Sequence, residues 1–514
     1  ITSGAQDFTY ANLQLDATQS GEDVRFSSIA LAMTFANLTV TEVTACQLFD
    51  GATALNTGSN VVNASGASDD NTTFTFDQTL VIPKGTIKTL AVKCDISSAT
   101  AANDSLSWGI NSTSNPTVTG VTSSNSVSET VTASAGQTMT VQAVAVVASK
   151  DSSSPSYQIA SAGSTGVIGG VIKFRASNEA VTLQRVGLTL TNTASSTSSD
   201  LVQVSLYNGS TKVGTATFLG TDTHATSTLD VSVTLPKDTD KTLTVKLDLA
   251  EVGTSKTGTQ GALIAVDIDT NGTNTLGVGQ ESGTTVTASG STAFDGVRMF
   301  KSKPTFAKLA IPSTVLITQT GTDLYRFSVT ADSKGSIGIY KFTVSIATSS
   351  TPDGTSSTTV TNLKIKAFTD ASFSTEVSGY TTSGQLNDTI AGLLSSGNTS
   401  VLMTASSQGQ DYLQIPAGST YYFRVLGDIA LTGSPTGGSV TTNIQGDANY
   451  PLLVAATQMV NAASSTAFTN GNGDDFIWSP NATTTSDVTH RDWTNGYFVS
   501  GLQSDNMDSA VIVK

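Results

Sequence analysis

Histidine, cysteine and tryptophan are nearly missing from this 514-residue chain, with 2, 2 and 3 copies. The histidines, His224 and His490, lie far apart in sequence with no serine or cysteine placed to make a nucleophile–base pair with either. Asp474 and Asp475 could be drawn as an acid/base pair, but adjacent acids in a glycine-rich turn are usually solvated or bind cations, so no enzyme is expected. Cys46 and Cys94 have no histidine or further cysteine near them, too few ligands for a metal site built on thiolates. Charge is scarce at 13% and forms no basic patch, which argues against nucleic acid as a partner. No run approaches the roughly 18 apolar residues of a membrane span. A signal-peptide pattern is also missing and the first residue is Ile1, so the chain reads as a processed product or part of a longer one.

The Ala/Glu/Lys/Leu bias of long helices is lacking too. Ser, Thr, Asn and Val are abundant, with 45 glycines and 38% hydrophobic residues that recur at alternate positions. That mixture suits half-buried strands joined by polar turns, and it is not the composition of a disordered chain. The net charge of −15 fits divalent cations or an exposed extracellular face, and equally plain solubility.

What the chain does have is repetition. "IPKGTIKTLAVKCDIS" at 82–97, "LPKDTDKTLTVKLDLA" at 235–250 and "IPAGSTYYFRVLGDIA" at 415–430 are copies of one phrase. Each places a proline (Pro83, Pro236, Pro416) twelve residues before an aspartate (Asp95, Asp248, Asp428). Leu90, Val92, Cys94 and Ile96 share one parity, as do Leu243 to Leu249 and Phe423 to Ile429, so this set faces a core. Proline opens the strand where no ladder N–H is needed. The repeated aspartate has the opposite parity, beside Lys93 and Lys246 in two copies and Leu426 in the third.

Further segments recur around this phrase. Short strands start at Phe8, Met139 and Thr305. Apolar–basic–Phe triplets follow at Val24–Phe26, Ile172–Phe174 and Tyr325–Phe327, and strands ending in turns at 43–51, 201–209 and 362–370. A closing segment reads "ETVTASAG", "TTVTASGS" and "PLLVAATQ". Six or seven short strands per unit predict an all-β chain of three tandem Ig-like antiparallel β-sandwich modules at 1–138, 139–304 and 305–460. The stretch 148–166 reads as a linker or as a loop inside the second module. Residues 461–514 do not match the repeat and form a short C-terminal segment.

Aligned on the repeat, Cys46 and Cys94 both point inward on different strands. They predict an inter-strand disulfide, with two buried free thiols as the alternative. Asp267, Asp269 and Asn271 precede Gly272 in "DIDTNGTN", a spacing able to wrap calcium, although the twelfth-position glutamate of a full loop is replaced by Val278. The same residues are ordinary turn formers. "TNGNGDD", ending at Asp474 and Asp475, reads the same two ways. Asn-x-Ser/Thr triplets at Asn37, Asn63, Asn71, Asn111, Asn208 and Asn481 are compatible with glycosylation. The C-terminal segment concentrates Trp478, Trp493, Tyr497 and Phe498, which marks a compact packed unit or an interface.

That segment, "DFIWSPN…TTT…DWTNGY…SGL", carried by Phe476–Asn481 and Asp492–Gly496, resembles the C-terminal end of large secreted surface proteins of candidate phyla radiation bacteria. The resemblance covers about 30 residues closely, and the Ser/Thr-rich modules upstream are similar in style. It implies a cell-surface protein such as an S-layer subunit and brings no catalytic residues.

The expectation is therefore an extracellular structural protein that self-assembles into an S-layer-like lattice through module edges and loops, with calcium bridging acidic loops and an envelope glycan or lipid as anchor. A filament built by donating Phe8–Ala17 or Ser509–Lys514 to the next subunit is the second reading. An adhesin is the third.

Overall fold

In the computed structural model the chain is described at residues 1–114, 116–350, 356–380, 382–394, 396–403, 411–433, 437–448, 474–482, 492–502 and 506–514. The segment "PLLVAATQ", His490 and the 460/461 boundary lie outside these residues. Among the described residues every regular element is a strand, apart from three single 3-10 turns. The chain is all-β.

The Pro-to-Asp strands, Ile87–Ile96, Asp240–Leu249 and Thr420–Thr432, sit in the middle of equivalent sheets. On one side each pairs with Val43–Asp50, Leu201–Asn208 or Ser357–Phe368. On the other it pairs with Phe8–Asp16, Val167–Ser177 or Gln319–Ala331. Their inward residues are fully buried, including Leu90, Val92, Leu243, Val245, Phe423 and Val425. Each such side chain contributes about 1.5–3 kcal/mol by leaving water.

The register corrects one alignment drawn from sequence. Leu13 faces Leu90, Ile172 faces Leu243 and Phe327 faces Phe423. Ile172 and Phe327 therefore correspond to Leu13. The triplet at Val24–Phe26 belongs to a different strand, Val24–Ala36, whose counterparts are Val181–Thr191 and Ile337–Ser350. Val24, Val181 and Ile337 face Ile82, Leu235 and Ile415, each one residue before the repeated proline. An apolar–basic–Phe triplet suits any half-buried strand, so it could not fix the register.

The repeated aspartates have a shared task. The carboxylates of Asp95, Asp248 and Asp428 accept the backbone N–H of Asp7, Gly166 and Gly321, each at 2.7 Å. All three residues have positive φ (52°, 68° and 63°); Asp7 and Gly166 immediately precede the neighbouring strand, and Gly321 lies in the bulge between Gln319 and Thr322. The aspartate thus holds a left-handed turn that fixes the neighbouring strand near its start. The lysines beside it are otherwise engaged, Lys93 lying over Phe49 at 4.4 Å and Lys246 over Tyr207 at 4.0 Å.

The first unit is a sandwich of a four-stranded and a five-stranded sheet. The second departs from the expected sandwich. Its strands run in a circuit from Val181–Thr191 through Asp240–Leu249, Val167–Ser177 and Ala145–Lys150 to Leu276–Gly279, which pairs back onto Val181–Thr191. The sheet closes, and closure leaves this circuit without an open edge. The stretch 148–166 is built into this unit: Ala145–Lys150 and Gln158–Ser161 are strands of it.

Three separate cores are present. The first runs to Val141, the second from Val146 to Met299, and the third from Phe300 onward with Ile159 added. The third core also takes in Phe476, Trp478, Val499, Leu502, Met507, Ala510 and Ile512. The 461–514 stretch, expected to stand apart, thus completes the third module with its described residues. Ile477–Ser479 pairs with Ile337–Ser350, and Ala510–Val513 pairs with Gly438–Ile444.

Candidate functional site

Cys46 and Cys94 are bonded, with Cα atoms 4.1 Å apart. The bond joins adjacent strands of one sheet. Register slips between Thr44 and Gln47, leaving Ala45 at φ 54° and Cys46 in a bulge opposite Cys94. The equivalent position in the second module is the Val204–Leu247 pair.

The two acidic turns hold their carboxylates in protein hydrogen bonds. Asp267 accepts from Thr292 Oγ1, the Phe294 N–H and Thr191 Oγ1, all at 2.9 Å. Asp269 accepts from the Asn271 N–H at 3.0 Å, Asn274 Nδ2 at 2.7 Å and His224 Nδ1 at 2.9 Å. Both aspartates are buried. Burial acts to raise Asp269, but its own donors, the Asn271 N–H, His224 and Asn274, draw it below the usual carboxylate range. Here the "DIDTNG" spacing does the work of a turn, with Asn271 contributing its N–H.

Asp474 and Asp475 belong to a buried polar cluster in the third module. The Asp474 carboxylate accepts from Asn495 Nδ2 at 3.0 Å, and its backbone carbonyl accepts from Lys341 Nζ. Asp447 accepts the N–H groups of Asp475, Phe476 and Gly496 at 2.7, 3.1 and 2.7 Å. Burial pushes the Asp447 carboxyl up to about 7, and Asp474 nearby adds to the rise. Burial also raises Asp475. This cluster clamps the "DDFIW" and "TNGY" segments together, so its acids serve the packing of the tail. Sequence reading missed Asp447 and Lys341, because both lie far from the tail in the chain. Among the described residues no group of three or more His, Cys, Asp or Glu is gathered in metal-ligand fashion.

The tail aromatics pack within the chain. Trp478 and Trp493 are fully buried. Trp478 donates Nε1–H to the Asn495 carbonyl at 2.8 Å and meets Phe300 edge-on. Tyr497 and Phe498 are half-buried and lie against Tyr157 of the second module, ring centroids 5.3 Å apart in both cases. Tyr157 accepts from Arg298 Nε at 2.9 Å, and Lys301 Nζ reaches the Asn481 carbonyl at 2.9 Å. These contacts bring the tail against the second module of the same chain.

Both proposed donor segments are in use at home. Phe8–Asp16 pairs with the Pro-to-Asp strand, and Ala510–Val513 pairs with Gly438–Ile444. An open recess of 410 Å³ is lined by Gly163, Thr165, Val202, Glu251 and Lys256. Its charges form a Lys256–Glu251 pair at 2.5 Å.

No protein-family profile matches the chain, and no curated protein matches its sequence. Among solved structures, a protein described as membrane anchored from Corynebacterium diphtheriae is 10% identical, covers 99% of this chain and 92% of its own, and has a TM-score of 0.17. The BSP domain of a biofilm associated protein is 8% identical, with coverages of 87% and 96% and a TM-score of 0.16. A serine-rich repeat adhesion glycoprotein from Streptococcus agalactiae is 10% identical, with coverages of 59% and 91% and a TM-score of 0.14. At such TM-scores none of these likenesses bears on what this chain does.

One more element recurs that sequence reading did not catch. Glu22 accepts the N–H groups of Thr122 and Ser123 and the Ser123 hydroxyl, at 2.7, 2.9 and 2.5 Å. Glu179 does the same to Glu281, Ser282 and the Ser282 hydroxyl, at 2.8, 2.9 and 2.5 Å. Each glutamate stands two residues before Val24 or Val181 and ties down the turn after the short strand that pairs there. Gly335 occupies the place in the third module, so that anchor is confined to two. A signal existed in sequence, a glutamate at a fixed offset, but only the register reveals it.

Proposed function

We propose that this chain is an extracellular structural protein whose modules pack against other copies in an S-layer-like array, anchored through an envelope glycan or lipid. The observation that carries this reading is the architecture. One strand layout around the Pro-to-Asp strand occurs three times in tandem, each copy with its own core, and Tyr157 of the second module meets Tyr497 and Phe498 of the third. Rigid units at fixed spacing are what repeated contacts require. The Cys46–Cys94 bond supports an oxidising, extracellular setting. A filament made by donating Phe8–Ala17 or Ser509–Lys514 is less favoured, since each would first have to leave its own sheet.

Negative-stain electron microscopy of the purified chain tests the reading, in millimolar calcium and in excess chelator. Ordered sheets are expected in both conditions, because Asp267 and Asp269 are already engaged by protein donors. Sheets that dissolve on chelation would restore calcium as the bridge. Isolated rods in both conditions would overturn assembly and favour an adhesin.

A further inference from the structure

The second and third modules meet at a linker with no slack. Val297–Phe300 belongs to the second module's sheet and Pro304–Leu309 to the third's, so only Lys301, Ser302 and Lys303 lie between them. Each of the three is tied by its side chain. Lys301 Nζ donates to the Asn481 carbonyl at 2.9 Å, and the Lys301 N–H donates to Gln260 Oε1 at 2.9 Å. Ser302 donates to the Gly335 carbonyl at 2.6 Å, and Lys303 Nζ to the Ile159 carbonyl at 3.3 Å. The bonds to Gln260 and Ile159 reach back into the second module. Those to Asn481 and Gly335 reach forward into the third.

The excursion 151–166 points the same way, independently of the linker. It leaves the second module's Ala145–Lys150 strand and runs as Gln158–Ser161 parallel to Val297–Phe300. Its side chains are divided between two cores. Ala160 and Ala162 belong to the second, whereas Ile159 is packed in the third. Successive side chains point to opposite faces of a strand, so this strand has one face in each module. Its neighbour is divided likewise: Val297 and Met299 lie in the second core and Phe300 in the third.

Both ends of the excursion are held as well. Tyr157, just before the strand, meets Tyr497 and Phe498 on one side and accepts from the buried Arg298 on the other. Arg298 also donates Nη1–H to the Gly261 carbonyl at 2.7 Å. Past the strand, Lys334 of the third module donates to the Gly163 carbonyl at 3.2 Å.

We propose that the second and third modules form one rigid body, with the 151–166 excursion as the pin that removes the hinge between them. Modules joined by an exposed linker move relative to one another by default, and a hinge needs residues free to change φ and ψ. Here the three linker residues are bonded both ways. A change of angle would also pull Ile159 and Phe300 out of the third core, and packed cores do not deform continuously. As the source of fixed spacing in an array, the joint rests on the assembly reading above.

The test measures distances between two spin labels on the full chain, one at Thr226→Cys in the second module and one at Ala430→Cys in the third. Both positions are exposed on strands. A single narrow distribution is expected. Adding Tyr157→Ser and Ile159→Ser withdraws the pin and should lose that single peak, with circular dichroism unchanged. The Ala162 amide, bonded to the Phe300 carbonyl at 2.7 Å, should then exchange at least about tenfold faster. A broad or two-peaked distribution in the chain with an intact pin overturns the proposal, whatever the pin variant does. A folded pin variant that keeps the narrow peak overturns it too, since the excursion would then not set the angle. Ordered arrays from a chain with broad distances would sink the rigid joint and keep assembly. Narrow distances in a chain that forms no arrays would do the reverse.

Discussion

The first and second modules share the strand layout around the Pro-to-Asp strand, yet among the described residues one is a two-sheet sandwich and the other closes. The second closes because Ala145–Lys150 bridges Val167–Ser177 to Thr285–Ser291. The first lacks that bridge and carries the Cys46–Cys94 bond at the place where the second has an ordinary Val204–Leu247 contact. The pairing of features suggests a division of labour. Closure holds the sheet of one module by hydrogen bonds and burial, and a covalent tie holds the sheet of the other.

Breaking the tie should have the largest effect. The bond closes a loop with a sequence separation of 48 residues, for which chain entropy gives about 4 kcal/mol. Replacing both cysteines by alanine is expected to unfold the first module well below the others. Fluorescence would separate them, since Trp108 lies in the first core and Trp478 in the third. A single cooperative transition shared by all three modules would sink the idea that the first stands on its own tie.

Opening the second module should be next. Val146→Asp puts a carboxylate among Phe174, Ala176 and Ala288 and should cost about 3 kcal/mol. The loss should spread as faster hydrogen exchange over 167–177 and 285–291, making this module resemble the first. Exchange confined to residues 145–150 would show that this strand is decoration and not closure.

Much of this layout was legible in sequence, for identifiable reasons. The Pro-to-Asp strand was clear because it is buried on one face and its alternation repeats three times. The triplet misled because its chemistry fits any half-buried strand. The tail read as separate because its partners, Lys341 and Phe300 among them, lie more than a hundred residues upstream. Acidic turns read equally as cation loops or Asx turns, since the two differ in where hydrogen-bond donors come from, and Thr292 and His224 lie 25 and 45 residues from the aspartates they serve. Closure of the second module was invisible because a parallel pairing, Ala145–Lys150 with Thr285–Ser291, leaves no turn signal between its partners.

The third module offers a further contrast, since its tail segments are held on by a buried acid. With its carboxyl pushed up to about 7, Asp447 keeps a proton in the folded chain that the unfolded chain releases near pH 4. The stabilisation is complete below about pH 4 and is lost as pH rises through 7, with a slope of at most about 1.4 kcal/mol per pH unit. Thermal unfolding followed by tryptophan fluorescence should show the third module weakening from pH 4 to 7. Asp447→Asn should flatten that dependence without changing the first module's.

The smallest effect compares the same anchor in both settings. Glu179 is fully buried in the closed module, while Glu22 is half-buried at the open one. Glu179→Ala takes a fully buried acceptor from two backbone N–H groups and a hydroxyl, a loss of about 1–3 kcal/mol. Glu22→Ala leaves the equivalent groups within reach of solvent, which can replace the carboxylate, so its cost should be smaller. Those same donors hold Glu22 below the usual carboxylate range. Its contribution is therefore present above the ordinary glutamate pKa and fades as pH falls through the lowered one. Thermal unfolding of the two variants side by side checks the ranking. If Glu22→Ala proved the more damaging, burial of the carboxylate would not set the worth of this anchor, and the turn at 121–124 would have to be treated as a larger part of the first module's stability than its exposure implies.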